Sequence, residues 1–304
     1  MDRPPVPPVA PDRDASSPTV ADDLDPVLIA RVAGLAPDRV DVLESVGSTN
    51  QWLLQMPWDS PAAGPRLALA RRQTAGRGRR GRVWLSGGAE SLTFSIALEA
   101  RMPDAAARLS GLSVITGVAI AERLALLTDG LGLKWPNDLM RHGLKVAGLL
   151  LESRLQADRV RIVAGLGLNL LPAPDRLATV GQPAGSLFDD PARLPGRGWL
   201  AGELGRLMID AALGRTDPAR LAGGADASPI ASLPVRWSRF DTLAGADVAI
   251  VFDGVAIRTG VAAGIDADGA LLLRSADGEH RISVGEVSLR RQAPVMPPDA
   301  GGPT

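Results

Sequence analysis

Residues 67–98 read LALARRQTAGRGRRGRVWLSGGAESLTFSIAL. Small and apolar residues over Leu67–Ala70 predict a strand, and the alternation of Leu92, Phe94, Ile96 and Leu98 with Thr93, Ser95 and Ala97 predicts a second. Between them, Gly76–Trp84 holds four arginines and three glycines in nine positions. Such a loop is built to grip anions. Glycine lets the backbone approach a ligand closely, and a guanidinium fork holds phosphate or carboxylate through two parallel hydrogen bonds. Arginine-glycine tracts that bind RNA usually repeat in disordered chains. This one occurs once, between strands, and RNA binding is the competing reading.

Working outward, Val40–Val46 alternates as a half-buried strand. Gly47-Ser48-Thr49-Asn50 then supplies helix-capping residues before a short helix over Gln51–Met56. Apolar residues at Leu109, Leu112, Ile115, Ala119 and Leu124 predict a helix over 104–127, opened by Pro103 and closed near Gly130. Gly111 and Gly117 within it predict close packing against another backbone. Leu133-Lys134-Trp135 leads into a turn at Pro136-Asn137-Asp138, followed by strands over Leu144–Glu152 and Val160–Leu168, the second ending at Asn169. A connector rich in proline and glycine, 172–198, precedes a helix over Trp199–Leu213. After about residue 232 the texture becomes short strands, Asp247–Phe252, Val255–Ile265, Ala270–Arg274, His280–Val284 and Val287–Arg290, with turns at Asp253-Gly254, Asp268-Gly269 and Asp277-Gly278. The pattern predicts an α+β chain: a mixed sheet with helices, then a small β-barrel. The expected divisions are a mostly disordered proline-rich leader over 1–35, a main domain over 36–231, the barrel over 232–291 and a disordered tail over 292–304.

Thirty-three Lys and Arg against 34 Asp and Glu leave a net charge of -1, which argues for local basic patches rather than broad adhesion to nucleic acid or membrane. The absence of cysteine excludes disulfides, thiolate catalysis and sulfur-ligated metals. His142 and His280 are isolated in sequence and read as surface residues. No apolar stretch approaches the roughly 20 residues of a membrane-spanning helix, and the N-terminus lacks the apolar core of a secretion signal. A cytoplasmic protein is expected.

Five segments occur in order: Ser48-Thr49-Asn50, Gln73 through Arg82, Lys134-Trp135-Pro136-Asn137-Asp138, Lys145-Val146-Ala147-Gly148 and Gly165-Leu166-Gly167-Leu168-Asn169. The set closely resembles the biotin–protein ligases over residues 36 to about 291, continuing through Arg236-Trp237-Ser238-Arg239-Phe240-Asp241 to Gly285-Glu286-Val287-Ser288-Leu289-Arg290. The resemblance implies a class II synthetase-like catalytic domain followed by an SH3-like barrel. It implies ATP with Mg²⁺ as co-substrate, biotin as substrate and the biotin carboxyl carrier domain of a carboxylase as partner, in a monomer or homodimer. Biotin's carboxylate would attack the α-phosphate of ATP, and a carrier lysine would then take the acyl group from biotinyl-5′-AMP.

By the same resemblance, Ser48, Thr49, Asn50 and Gln73 would surround the biotin head group, with Gly76, Arg77, Gly148 and Gly165 completing its pocket. Arg77, Arg79, Arg80 and Arg82 would meet carboxylate and phosphates, Arg79 retaining the adenylate. Lys145 would stand between carboxylate and α-phosphate. Asn137 and Asn169 would contact the nucleotide, and Trp84 would stack on adenine or fill the core beneath its loop. Asp138 would orient Mg²⁺ or receive the carrier lysine's proton, and Glu286 and Arg290 would assist at nucleotide or carrier. The nearest rival is a lipoate–protein ligase. Many relatives carry an N-terminal winged helix, whereas about 35 proline-rich residues precede the resemblance here, so no DNA binding is expected. Gly185 replaces a threonine common among relatives, which leaves the connector's part in the site open.

Overall fold

The computed structural model describes residues 24–58, 63–101, 109, 111–173, 183–215, 232–283 and 287–291. The strands β1 (Val40–Val46), β2 (Arg66–Gln73), β3 (Ser91–Arg101), β4 (Leu131–Lys134), β5 (Asp138–Arg141), β6 (Leu144–Gln156) and β7 (Arg159–Asn169) form one seven-stranded sheet in the order β1-β2-β3-β7-β6-β5-β4. β1 and β2 run parallel and the other neighbours are antiparallel. The long central pair runs in register from Ser91↔Asn169 to Arg101↔Arg159.

Alternation along these strands separates two faces. Leu67, Leu69, Leu92, Phe94, Ile96, Ile162, Leu166 and Leu168 point into the main core, shared with α3 (Leu112–Leu124) and α4 (Arg197–Ala212). The opposite face carries Thr93, Ser95, Gly165 and Gly167, and only a small cluster of Leu53, Ala68, Ala97 and Val163, where α2 (Thr49–Gln55) rests. A sheet face left short of bulk on one side is where a ligand can lie.

Several expectations are corrected. The leader was expected to run to residue 35, yet α1 (Pro26–Ala33) is a capped helix within it. Asp25 accepts from Val27 N at 2.9 Å, Pro26 opens the first turn, and Gly34 closes the helix at φ 69°. Ile29, Ala30 and Ala33 are buried, and α1 packs on α4 where Gly202 leaves room for Val32 and the Ile29 carbonyl. The short apolar face after Asp25 outweighed the proline-rich composition before it. The helix expected over 104–127 is α3, starting after Gly111 at φ 65°, while 102–108 and 110 lie outside the described residues. Gly111 does meet another backbone: a Cβ there would stand 2.1 Å from the carbonyl of Asp268. The turn at Pro136-Asn137-Asp138 runs straight into β5, a strand the sequence reading missed.

After 232 the chain first makes a short helix, α5 (Leu233–Ser238), also missed. Then β8 (Asp247–Phe252), β9 (Val255–Ile265), β10 (Leu271–Ser275), β11 (Gly278–Ile282) and β12 (Val287–Arg291) form an antiparallel sheet in the order β11-β10-β9-β8-β12. The α+β class therefore holds. Glu286, the 292–304 tail and part of the connector lie outside the described residues. The segment leading into the second sheet is tied to the first by Leu133 N to Phe240 O at 2.6 Å and Thr242 N to Leu133 O at 3.0 Å, and α5 to α3 by a bidentate pair between Arg236 and Glu122. His142 is exposed as expected, but His280 is three-quarters buried beside Asp277 and Arg258. No helix among the described residues is long and apolar enough to cross a membrane.

Candidate active site

The cleft on the small-residue face encloses about 440 Å³ and is lined from α2, β2, the arginine loop, β3, β6 and β7. Its lining includes Ser48, Thr49, Asn50, Gln73, Arg77, Trp84, Lys145, Gly148 and Gly165, most of the side chains the sequence nominated. Glycine makes the floor possible. A Cβ on Gly165 would stand 2.2 Å from Asn50 Oδ1, and one on Gly167 would stand 2.2 Å from the Trp84 ring. Gly76, behind the loop, is buried where a Cβ would strike the Trp84 carbonyl at 2.3 Å.

One end of the cleft is a neutral network. Thr49 N and Oγ1 both approach Gln73 Oε1, at 2.8 and 3.1 Å. Thr49 Oγ1 lies 2.6 Å from Ser95 Oγ, and Ser95 Oγ donates to Asn50 Oδ1 at 2.6 Å. Asn50 Nδ2 spends its two protons on Leu150 O and Glu152 Oε2. Three hydroxyl contacts, Thr49 to Gln73, Thr49 to Ser95 and Ser95 to Asn50, thus share two hydroxyl protons. With Thr49 N on Gln73 Oε1, Thr49 Oγ1 donating to Ser95 and Ser95 to Asn50, every acceptor in the network is met, and Thr49 Oγ1 keeps lone pairs that can accept from an N–H donor. Ser95, fully buried, and Glu152 belong to it without having been nominated by the sequence. The run of small polar residues Ser91, Thr93 and Ser95 on one face of β3 is the signal that could have found the first.

The other end, where Lys145 and Gly148 line the cleft and Asn137 and Asp138 line the adjoining pocket, is charged. Lys145 Nζ lies 2.6 Å from Asp138 Oδ1, both largely buried, and extends over Gly148, where a Cβ would be 3.3 Å from Nζ. Arg79 Nη1 donates to Asn137 Oδ1 at 3.2 Å, and Asn137 Nδ2 is fixed by Leu149 O at 2.7 Å. Burial, with Arg82 and Arg80 adding repulsion, lowers the Arg79 pKa below the usual arginine value against the pull of Asp138. Such a desolvated cation gains from an incoming anion. Trp84 lies against Gly167 inside the cleft, Lys145 Nζ 6.0 Å from its ring centre and its own Nε1 buried without a partner.

Arg79, Asn137 and Asp138 stand beside the cleft rather than in its lining, and three further nominated residues sit elsewhere. Arg80 and Arg82 are exposed on the outer turn of the loop, Arg80 at φ 59°, and neither lines the cleft. Asn169 is buried with its amide donating to Gly185 O at 3.0 Å. That bond settles the connector's position: Gly185 N also donates to Lys145 O at 2.9 Å, so 183–187 runs alongside both residues. Arg77 lines the cleft but turns toward Glu152, Nη2 standing 3.1 Å from Oε1, at the opposite end from Asp138.

Known proteins match this arrangement. The model of the biotin/lipoate A/B protein ligase family matches residues 42–169, and that of the biotin protein ligase C-terminal domain matches 248–290. The bifunctional ligase/repressor BirA of Escherichia coli is 35% identical over 254 residues, 83% of this chain and 74% of that protein. The biotin–[acetyl-CoA-carboxylase] ligases of Paracoccus denitrificans and Mycobacterium tuberculosis are 34% and 31% identical, covering 81% and 84% of this chain and 98% and 90% of their own. The structure of the Aquifex aeolicus biotin protein ligase with biotin and ATP superposes with a TM-score of 0.64 at 27% identity, covering 84% of this chain and 99% of that one. The chain belongs to the biotin/lipoate A/B protein ligase family, and within it to the biotin–protein ligases.

Proposed function

We propose that the cleft joins biotin to ATP as biotinyl-5′-AMP and delivers the acyl group to a lysine of a biotin carboxyl carrier domain, in the cytoplasm. The carrying observation is the hydroxyl and amide network around Thr49 Oγ1 at one end of a cleft whose other end carries Lys145, paired to Asp138, with Arg79 held beside it on Asn137. A cyclic urea offers N–H donors to the first end, and its valerate carboxylate extends toward the second. Lipoate's dithiolane has no N–H to offer, which favours biotin over the rival acid.

Two anions must meet for the first step, so fixed cations and alignment do more than any enzyme nucleophile. Biotin's carboxylate oxygen attacks the α-phosphorus and pyrophosphate leaves; Lys145 and Arg79 neutralise the accumulating charge. In the second step the carrier amine attacks the acyl carbon and AMP leaves. Asp138 anchors Lys145 Nζ and would receive the carrier lysine's proton or help orient the nucleotide's magnesium. Among the described residues no group of three or more His, Asp or Glu is arranged to hold a metal. A magnesium ion fits this site as part of the nucleotide substrate, held by its phosphates. Gln73 and Gly165 shape the head-group end, Gly148 and Asn137 the nucleotide end, Trp84 lies over Gly167 with Lys145 nearby, and Asn169 holds the Gly185 segment alongside Lys145. The division at 36–231 and 232–291 gives catalysis to the first unit, with α5, Phe240 and the β9–β10 turn supporting it from the second.

Incubating the pure protein with biotin, Mg-ATP and a carrier domain is expected to give biotin-dependent pyrophosphate release and labelled carrier, with lipoate a poor competitor. Neither product appearing would refute the reading. Salt-sensitive RNA binding without turnover would favour the competing one.

A further inference from the structure

We propose that Glu152 is a positioning residue that moors the arginine loop over the cleft through Arg77, an assignment that rests on the biotin-ligase reading of the same site. A carboxylate beside a cleft whose reactants are both anions repels them unless its charge is committed elsewhere. Glu152 is committed twice. It is three-quarters buried, accepts from Asn50 Nδ2 at 2.8 Å and pairs with Arg77 Nη2 at 3.1 Å. Asn50 is itself only 3% exposed and lies at the start of α2, so one carboxylate ties β6 to both the cleft floor and the loop.

The loop is thereby held at two points. Arg79 holds Asn137 at the charged end, and Arg77 holds Glu152 at the neutral end. Gly148, beside Lys145 Nζ, and Glu152 are four residues apart on β6, about 13 Å along the strand. Arg77 is therefore a strap over the head group rather than a ligand of the phosphates. Glu152 acts through Arg77 and Asn50 without touching the reacting atoms. By accepting from Nδ2 it also fixes which way the Asn50 amide points, and hence that Oδ1 faces Ser95.

Release of tritiated biotin from the whole protein tests the strap. Wild type, Glu152→Gln, Arg77→Gln and the double variant are compared at low and high salt, with melting curves as a check on folding. The pair is partly exposed, so each single change is expected to speed release roughly two- to fivefold at low salt. The double variant is expected to release no faster than Arg77→Gln alone, and the difference from wild type to shrink at high salt. Glu152→Asp, keeping the charge, is expected to recover part of the retention, and the KM for biotin to rise more than kcat falls. Wild-type release in Glu152→Gln, or additive effects in the double variant, overturns the proposal. If Glu152→Gln does not fold, Arg77→Gln carries the test: its release rate must show the same salt-dependent rise, and a wild-type rate overturns the proposal. A wild-type protein that neither binds biotin nor releases pyrophosphate instead rejects the reading underneath it.

Discussion

The two ends of the cleft are built from opposite materials on the same strands. At the α2 end, uncharged hydroxyl and amide groups are locked to one another by contacts of 2.6–3.1 Å. At the other, a lysine–aspartate pair and a desolvated arginine surround Gly148 and Asn137. In the biotin reading the neutral end discriminates, because a ligand N–H adds a hydrogen bond at Thr49 Oγ1 that an apolar ring cannot supply. In the same reading the charged end reacts, because its cations would neutralise the negative charge that accumulates between the two anions. Each end also has a brace outside the cleft. Arg161 seats the C-terminal end of α2, and Trp135 pins the loop bearing Asn137 and Asp138 against the second sheet.

If the ends are separable, damage to one should spare the other. Lys145→Gln is expected to slow biotin-dependent pyrophosphate release about 10²–10³-fold, roughly 2.7–4 kcal/mol in barrier. Biotin affinity measured without ATP should change far less. Equal losses in calorimetric affinity and in rate would break the comparison. Arg161→Met comes next. Its guanidinium donates to the carbonyls of Leu53, Met56 and Pro57 at 2.6–2.9 Å and pairs with Glu99, all in a buried setting beside Trp58. Arg159 remains on Glu99, so the expected loss is about 3 kcal/mol, the low end for breaking a buried pair, read by chemical denaturation. Biotin affinity should fall with it, since the same helix carries Thr49 and Asn50. An unaltered affinity in the folded variant would detach the brace from the neutral end.

Gly165→Ala strikes the network directly. The new methyl would lie 2.2 Å from Asn50 Oδ1 and 3.2 Å from Ser95 Oγ, so one of them must move. An overpacking penalty of about 1–3 kcal/mol is expected to appear in biotin affinity. With biotin saturating, the rate of adenylation should stay near wild type, and a collapse of that rate alone would contradict the assignment.

The sheet was legible because alternation survives in sequence: the strands around Leu43, Leu69, Phe94 and Leu166 follow from their pattern. The ordered motifs likewise exposed most cleft residues, since ligand chemistry restricts which side chains can stand there. What remained hidden depends on distant partners. Glu152 is unremarkable in a strand until Arg77 and Asn50 reach it from 75 and 102 residues away. Arg161 reads as a surface charge until the end of α2 lands on it. Helices α1 and α5 were missed because eight and six residues are too few for periodicity to outweigh composition. Composition nominated Arg80 and Arg82 with their neighbours because it reveals the charge of a loop but not which guanidiniums face inward, and both are exposed on its outer turn.

The smallest expected effect tests the brace at the charged end. Trp135 is 2% exposed and donates from Nε1 to Gly269 O at 3.1 Å, in the turn between β9 and β10. That turn is itself tightened by Asp266 Oδ1, which accepts from Asp268 N and Ala270 N at 2.9 Å each, and it packs on Gly111 at the start of α3. Trp135→Phe keeps most of the buried ring and deletes the donor, leaving the Gly269 carbonyl without this partner. A loss of about 1 kcal/mol in stability is expected, the ordinary net worth of a hydrogen bond. The loop carrying Asn137 and Asp138 begins at the next residue, so the slackness should also reach Lys145 through Asp138. A fall in adenylation rate with unchanged biotin affinity would make the second sheet part of the charged end. A stability loss with unchanged kinetics would reduce it to a support for the fold alone.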